Sequence, residues 1–142
     1  MRDMTKKEIF DFIMRWTWGT LIGVEENRPY AIEVSYGTDG KYIYCGSRPG
    51  GRMAQCISGN SNIAFKICDS DRQCARWRAV IVEGTAERVT DFDDILHAVR
   101  MIARQMGLRE TAFDRIADTV AADPRGNSIR IPIQTVSGVT TG

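Results

Sequence analysis

The chain has 142 residues, with 19 lysines and arginines against 18 aspartates and glutamates, so its formal net charge is +1. This balance gives no electrostatic case for binding nucleic acid or an anionic membrane, and no apolar run reaches the length of a membrane span. The length suits one domain with a hydrophobic core. No apolar signal core is present near the N-terminus, so we expect a cytoplasmic protein with a single domain over residues 1–142.

The first third of the chain predicts one helix and three strands. Thr5 and Glu8 form a capping box, which predicts the start of a helix that ends near Arg15. Residues 1–15 are therefore expected to form an N-terminal helical segment. Strands are expected over 18–25, 29–36 and 42–45, with a glycine-containing hairpin turn over 37–40. Three strands in quick succession favour an antiparallel meander.

A glycine-rich loop at residues 46–51 follows the third strand and opens into a short helix near Arg52. Loop amides and the start of a helix attract anions, because both present N–H groups and a partial positive charge. Arg48 and Arg52 add full charges at the same place. We interpret the stretch as a candidate phosphate site, and the alternative is a surface loop with two solvated arginines.

The remaining chain predicts three strands and two helices. Strands are expected over 62–69, 76–88 and 128–136, and helices over 91–106 and 110–121. Gly84 predicts a bulge or a close backbone approach within its strand, and Pro132 predicts an edge or a bulge. Residues 137–142 are expected to form a loose tail.

Cysteine and histidine usage predicts no metal site. The four cysteines form no C-x-x-C pair, and His97, the only histidine, lies beside the apolar stripe of a predicted helix, where a structural role is favoured. Cys45 stands at the mouth of the glycine loop. It is either a reactive thiol or a small buried hydrophobic residue.

About six strands with helices inserted between them, and no regular strand–helix alternation, predict a mainly β fold. A closed or nearly closed antiparallel barrel would hide the strand edges.

Four strings of sequence, in this order and spacing, resemble the flavin-binding split-barrel proteins related to pyridoxamine 5′-phosphate oxidase. They occupy residues 18–36, 42–53, 58–67 and 79–89. Within that group the chain most resembles the branch that contains nitroimidazole-resistance proteins. The resemblance implies a six-stranded antiparallel split β-barrel with inserted helices, and FMN bound at the interface of a homodimer.

The resemblance also implies which residues contact FMN. The backbone of Glu33, Val34 and Ser35 is expected along the flavin ring, and Ser47 and Arg52 at the phosphate. The rest of the predicted cofactor-binding set is Cys45, Gly46, Met53, Trp77, Arg78 and Ala79.

Three positions depart from the pattern of the group. Met53 stands where a basic lysine is common, so one phosphate contact is lost. Cys45 stands where the nitroimidazole-resistance branch often has histidine, and a thiol does not replace an imidazole as a proton carrier at neutral pH. Glu33 stands where that branch often has proline, and we expect its carboxylate to point outward to water.

The resulting hypothesis is an FMN-dependent oxidoreductase acting on a small molecule, with no catalytic acid or base identified. Arg78 is a candidate for stabilising the reduced flavin, or a solvated strand residue. One alternative is a non-catalytic flavin or haem carrier or sensor, and another is a dimeric structural protein that has lost its cofactor. Nucleic-acid binding through Arg72, Arg76 and Arg78 ranks low, because nearby acidic residues reduce the net positive charge of this cluster.

Overall fold

The computed structural model describes all 142 residues, in ten strands and four helices. The helices are α1 (Lys6–Arg15), α2 (Arg52–Gly59), α3 (Phe92–Gln105) and α4 (Asp114–Ala122). The strands are β1 (Arg2–Asp3), β2 (Trp18–Glu25), β3 (Arg28–Ser35), β4 (Gly37–Thr38), β5 (Tyr42–Ser47), β6 (Asn62–Ser70), β7 (Trp77–Thr85), β8 (Glu87–Arg88), β9 (Asn127–Pro132) and β10 (Thr135–Thr140). No helix combines the length and apolar composition needed to cross a bilayer.

Two antiparallel sheets make up the β structure. The larger sheet has the order β1-β10-β7-β6-β2-β3, and the smaller has the order β4-β5-β9-β8. The chain passes between the sheets four times, at Tyr36, through α2 between β5 and β6, at Ala86 and between Pro132 and Thr135. The predicted mainly β, antiparallel split-barrel class with inserted helices is confirmed, and the two sheets stay separate and do not close into one continuous barrel.

The main core lies between the sheets and contains 18 buried residues. Alternate residues of the long strands point into it, as the period of a strand requires. Leu21, Phe65 and Val82 are inward residues of β2, β6 and β7 and lie side by side in register. The buried Tyr36 packs edge-on against Phe65, and its hydroxyl donates to the Ile13 carbonyl at 2.6 Å.

Helix α1 begins with the predicted capping box. The Thr5 hydroxyl accepts from the Glu8 backbone N–H at 3.2 Å, and the Glu8 carboxylate accepts from the Thr5 N–H at 2.9 Å. Arg2 donates two further hydrogen bonds to the same carboxylate. These contacts, that of Arg2 first, lower the pKa of Glu8 to about 2.

The predicted three-strand meander is wrong. β2 and β3 form a hairpin, but β5 belongs to the smaller sheet, where it pairs with β4 and β9. The chain leaves the larger sheet before Gly37, which packs directly on the backbone of α3 at Met101 and Ile102. A side chain would not fit there, so the glycine permits the bend.

The C-terminal predictions also need correction. The expected strand over 128–136 is two strands, β9 and β10, which lie in different sheets. Residues 137–142, expected as a loose tail, contain most of β10. It pairs with β7 from Thr135↔Glu83 to Thr140↔Arg78. The physical reason is that β7 would otherwise leave one edge unpaired, and β10 satisfies its backbone groups.

Two further boundaries differ from the predictions. The expected strand over 76–88 is interrupted at Ala86, where the chain moves to the smaller sheet. Gly84 forms no bulge, since it pairs in register with Ile63 and has ordinary space around it. α4 begins at Asp114, four residues later than expected.

Candidate functional site

The glycine loop is held in a defined conformation in front of α2. Gly50 has a φ of 64°, a left-handed conformation that suits glycine. Its N–H donates to the Arg125 carbonyl at 2.9 Å, and the Gly51 N–H donates to the Arg48 carbonyl at 3.0 Å. Gly51 is the N-cap of α2 and supplies no side-chain cap. The first amides of the helix therefore have neither an intrahelical acceptor nor a capping oxygen.

Arg52 is the first residue of α2, and two neighbours orient its guanidinium. The guanidinium carbon lies 4.3 Å from the centroid of the Tyr30 ring, a cation–π contact. Its Nε lies 4.0 Å from a carboxylate oxygen of Glu25. The side chain remains about half exposed, at 51%. A positive charge is therefore fixed beside the uncapped helix start and is open to a ligand.

These residues surround a cavity of about 280 Å³. We call its polar wall the arginine cradle, defined by Tyr30, Ser47, Arg48, Gly51 and Arg52. Free helix amides and two guanidinium groups around one concave surface are what an anionic group such as a phosphate needs.

Met53, predicted as a cofactor contact, is a core residue that also lines this cavity. Only 2% of it is exposed, and its sulfur packs tightly over Gly23. Its apolar chain forms part of the cavity floor, so the cradle has two cationic side chains and not three.

Glu33, Val34 and Ser35 lie on β3, the edge strand of the larger sheet. The cavity lining includes Tyr30 and Ile32 of the same strand, so the predicted ring-binding segment continues directly from the cradle. The Glu33 carboxylate accepts a hydrogen bond of 2.7 Å from the Thr20 hydroxyl on the exposed face of the sheet. The unpaired edge of β3 leaves backbone donors and acceptors free for a ligand.

Trp77, Arg78 and Ala79 lie at the start of β7, away from the cradle. β2 and β6 separate β3 from β7, so the two segments are three strand spacings apart, about 14 Å. Arg78 is not simply solvated, since its guanidinium stacks 3.9 Å from the Phe12 ring centroid and lies 3.5 Å from Asp69. One copy of the chain does not bring all the predicted cofactor residues together.

Cys45, Gly46 and Ser47 end β5, where it meets the loop. The Cys45 thiol is buried in the core, and this burial raises its pKa to about 12. Burial therefore favours the interpretation of Cys45 as a small hydrophobic core residue over that of a reactive thiol, because the thiolate is the nucleophilic form. The Ser47 hydroxyl accepts a hydrogen bond of 2.6 Å from the side-chain amide of Asn127.

His97 belongs to a hydrogen-bonded group on the outside of the smaller sheet. Its Nε2 lies 3.1 Å from an Asp39 oxygen that also accepts from the Tyr44 hydroxyl at 2.6 Å. Burial opposes ionisation of Asp39, but bonds from Tyr44, His97 and two backbone amides outweigh it and lower its pKa. These contacts connect the β4–β5 turn to α3. This is the kind of structural role that the sequence favoured for His97.

Sequence analysis missed three residues that shape the region. Tyr30 orients Arg52, but the sequence identified it only as part of the strand expected over 29–36. Arg125 packs its side chain on Gly50 from a turn more than seventy residues away along the chain. Asn127 supports Ser47 from β9. No local signal identifies Arg125 or Asn127, since each depends on the pairing of β5 with β9.

Comparison with known proteins places this geometry in a family context. The family model described as pyridoxamine 5′-phosphate oxidase matches residues 5–140. No curated protein matches the chain.

Three solved structures illustrate the likeness. An FAD-binding protein from Mesorhizobium loti has a TM-score of 0.70 and 19% identity, covering 99% of this chain and 98% of that one. A candidate 5-nitroimidazole antibiotic resistance protein from Bacteroides thetaiotaomicron has a TM-score of 0.78 and 18% identity, covering 96% and 85%. An FAD and haem binding protein from Mycobacterium smegmatis has a TM-score of 0.70 and 14% identity, covering 100% and 75%. At these identities the likeness shows a shared fold.

Proposed function

Because the chain belongs to the pyridoxamine 5′-phosphate oxidase family, we propose that it is an FMN-binding flavoprotein that catalyses oxidoreduction of a small molecule. The observation that carries the proposal is the arginine cradle, where two guanidinium groups and the uncapped start of α2 line one cavity. Solved relatives described as binding FAD, or FAD and haem, support a flavin as the ligand.

The cradle suits the terminal phosphate of FMN. A phosphate monoester carries close to two negative charges at neutral pH, and the guanidinium groups of Arg48 and Arg52 match them. The cation–π contact with Tyr30 restricts Arg52 before the ligand arrives, which reduces the entropy lost on binding. Glu25 is the one acidic neighbour, and its 4.0 Å separation from Arg52 leaves the guanidinium free to turn toward a stronger anion.

The flavin ring is proposed to lie along residues 33–35 of β3. From Ile32, which lines the cradle cavity, to Ser35 the strand advances about 10 Å, so one ligand can contact both places. The unpaired strand edge offers backbone groups to the polar rim of the ring. When bound, FMN supplies the hydride and electron transfer chemistry, and the residues of this chain bind and orient it.

A second copy of the chain is proposed to complete the site. Residues 77–79 lie too far from β3 to join the same ligand within one copy, and a homodimer would bring them from the neighbouring chain. The outer face of the larger sheet is a suitable contact surface, since no helix of the same chain covers it. It exposes Trp18 at 46% and Ile81 at 38%.

Haem binding is the weaker alternative, because the chain offers no prepared axial ligand. His97 is occupied by Asp39 and packed edge-on against Tyr44, and the Cys45 thiol stays protonated at neutral pH. A flavin carrier or sensor without turnover is the second alternative, and measurement of turnover separates it from an oxidoreductase.

The test is titration of flavin-free protein with FMN, followed by anaerobic addition of NADH or NADPH. Tight binding of one FMN per chain and bleaching of the visible flavin band by one of the donors support an oxidoreductase. Reoxidation of the bleached protein by a small-molecule acceptor then gives turnover. If FMN binds but neither donor reduces it, and if flavin reduced with dithionite is not reoxidised by an acceptor, the result would favour a carrier over an oxidoreductase.

A further inference from the structure

A second cavity lies on the helix side of the smaller sheet, between α3, α4 and the adjoining ends of β5 and β9. We call it the helix-side cavity. It measures about 350 Å³, near the lower end for small-molecule sites in proteins. Its walls are mainly apolar, with Ile95, Val99 and Ile102 from α3 and Ile116 and Val120 from α4. Ile116 is 48% exposed at the rim, so the cavity opens to solvent between the helices.

Three polar residues interrupt this apolar lining, and they are Ser47, Asn127 and Ser128. Asn127 lines the cavity and is only 2% exposed. Its Nδ2 donates to the Ser47 hydroxyl at 2.6 Å, while its Oδ1 is buried without any hydrogen-bond partner in the protein. Buried amide oxygens are almost always paired, because an unpaired one forfeits its bond with water on folding. An unpaired acceptor beside an apolar cavity is the arrangement by which a site selects a donor on an otherwise apolar ligand.

We propose that the helix-side cavity binds a planar, largely apolar ring compound that donates one N–H to Asn127 Oδ1. The volume accommodates a bicyclic ring, and the aliphatic side chains of α3 and α4 cover its faces. No charged residue lines the cavity, so an ionic group on the ligand would have to remain at the solvent mouth.

This site is separate from the arginine cradle. Ser47 belongs to the lining of both cavities, and the other polar groups of the cradle, Arg48 and Arg52, line only the cradle side. The helix-side cavity contains no residue of β3 or β7, where the flavin ring is proposed to lie, although Cys45 and Gly46 of the predicted cofactor-binding set line it. The inference therefore goes beyond the proposed flavin function and does not depend on it.

The test compares two probes of the same shape by calorimetry on the purified full chain with whatever flavin it carries. Indole has an N–H in its bicyclic frame, and benzofuran has an ether oxygen at that position. We expect one indole site per chain and affinity for indole at least about fivefold above that for benzofuran, the usual effect of one buried hydrogen bond. Equal affinities, or no binding of indole, would overturn the proposal.

Variants then locate the site. Asn127→Leu should reduce the preference for indole over benzofuran to less than about twofold, because it removes the acceptor and keeps a similar shape. Ile116→Trp should fill the mouth and weaken both probes, whereas Leu108→Trp, a change at a similarly exposed apolar residue beyond α3, should not. An unchanged indole affinity in Ile116→Trp would place the probe elsewhere and contradict the assignment.

Competition with FMN separates this proposal from the flavin function. Indole should bind equally to protein saturated with FMN and to flavin-free protein. Displacement of indole by FMN at one equivalent would show that the helix-side cavity is part of the flavin site, and the proposal of a separate site would fail while the flavin function stood.

Discussion

Arg52 is the residue on which the proposed phosphate contact depends most. Replacement by alanine removes a charge-assisted contact that Tyr30 holds in position. We expect Arg52→Ala to weaken FMN binding at least about tenfold, equivalent to about 1.4 kcal/mol, in a fluorescence-quenching titration.

The matched control is Arg109→Ala, which removes an equal charge from the exposed loop after α3. Its titration curve should coincide with that of the parent protein. If Arg52→Ala also coincides with the parent, the phosphate does not bind in the arginine cradle.

We expect the Cys45 side chain to pack in the core and not to react with alkylating reagents. Because burial raises its pKa from 9.0 to about 12, native protein at pH 8 holds almost no thiolate at this position. Iodoacetamide at pH 8 should label the exposed Cys74 and leave Cys45 unlabelled, as peptide mapping by mass spectrometry would show.

The same raised pKa has a consequence for stability. The unfolded chain loses the Cys45 proton at lower pH than the folded chain, so this group's contribution to stability is present below about pH 9 and declines as the pH rises toward 12. Rapid labelling of Cys45 in the folded protein at pH 8 would contradict both statements.

At the scale of elements, the bend from β3 into β4 depends on the close contact between Gly37 and α3. A Cβ atom at Gly37 would overlap the helix backbone at Met101 and Ile102, and backbone cannot rotate away as a side chain can. We expect Gly37→Ala to lower the free energy of unfolding by roughly 1–3 kcal/mol in urea denaturation.

Gly59→Ala is the control, because nothing lies within 4 Å of the added carbon at the end of α2. It should change stability by less than about 0.5 kcal/mol or raise it slightly. Equal stabilities of the two variants would show that the contact between β4 and α3 is looser than described.

Elements that depend on local signals were predicted well from the sequence. The capping box of α1, the alternating strands β2 and β6 and the loop before α2 each follow from residues within a few positions of one another. Strand pairing was not predictable in this way. β5 pairs with β9, whose residues lie eighty to ninety positions later, and only the folded chain shows that β10 completes the edge of β7.

The residues of the candidate site also fall into two groups, those that local sequence identifies and those that depend on tertiary packing. Arg52 and the glycine loop were found because a loop and the helix after it are contiguous in sequence. Tyr30, Arg125 and Asn127 were not found, because they reach the loop only through tertiary packing.

For the whole molecule, the central issue is whether two copies share each flavin site. If Arg52 comes from one chain and Arg78 from the other, two defective variants can compensate for each other. A mixed dimer of Arg52→Ala and Arg78→Ala would contain one intact site and one site with both changes. With random pairing, about a quarter of all sites should be intact.

Co-expression of the two variants tests this prediction. The purified mixture should bind FMN with parental affinity at about a quarter of its sites, while either variant alone shows none of this tight fraction. Light scattering should give a dimer throughout. A monomer at micromolar concentration, or a mixture without tight sites, would contradict the shared-site arrangement.

The most direct test of the account is the absorption spectrum of freshly purified protein, repeated on the supernatant after heat denaturation. The account predicts flavin bands and release of about one FMN per chain, identified by mass. A colourless protein that also fails to take up added FMN would contradict it, because the arginine cradle would then be present without binding the phosphate that it is proposed to hold.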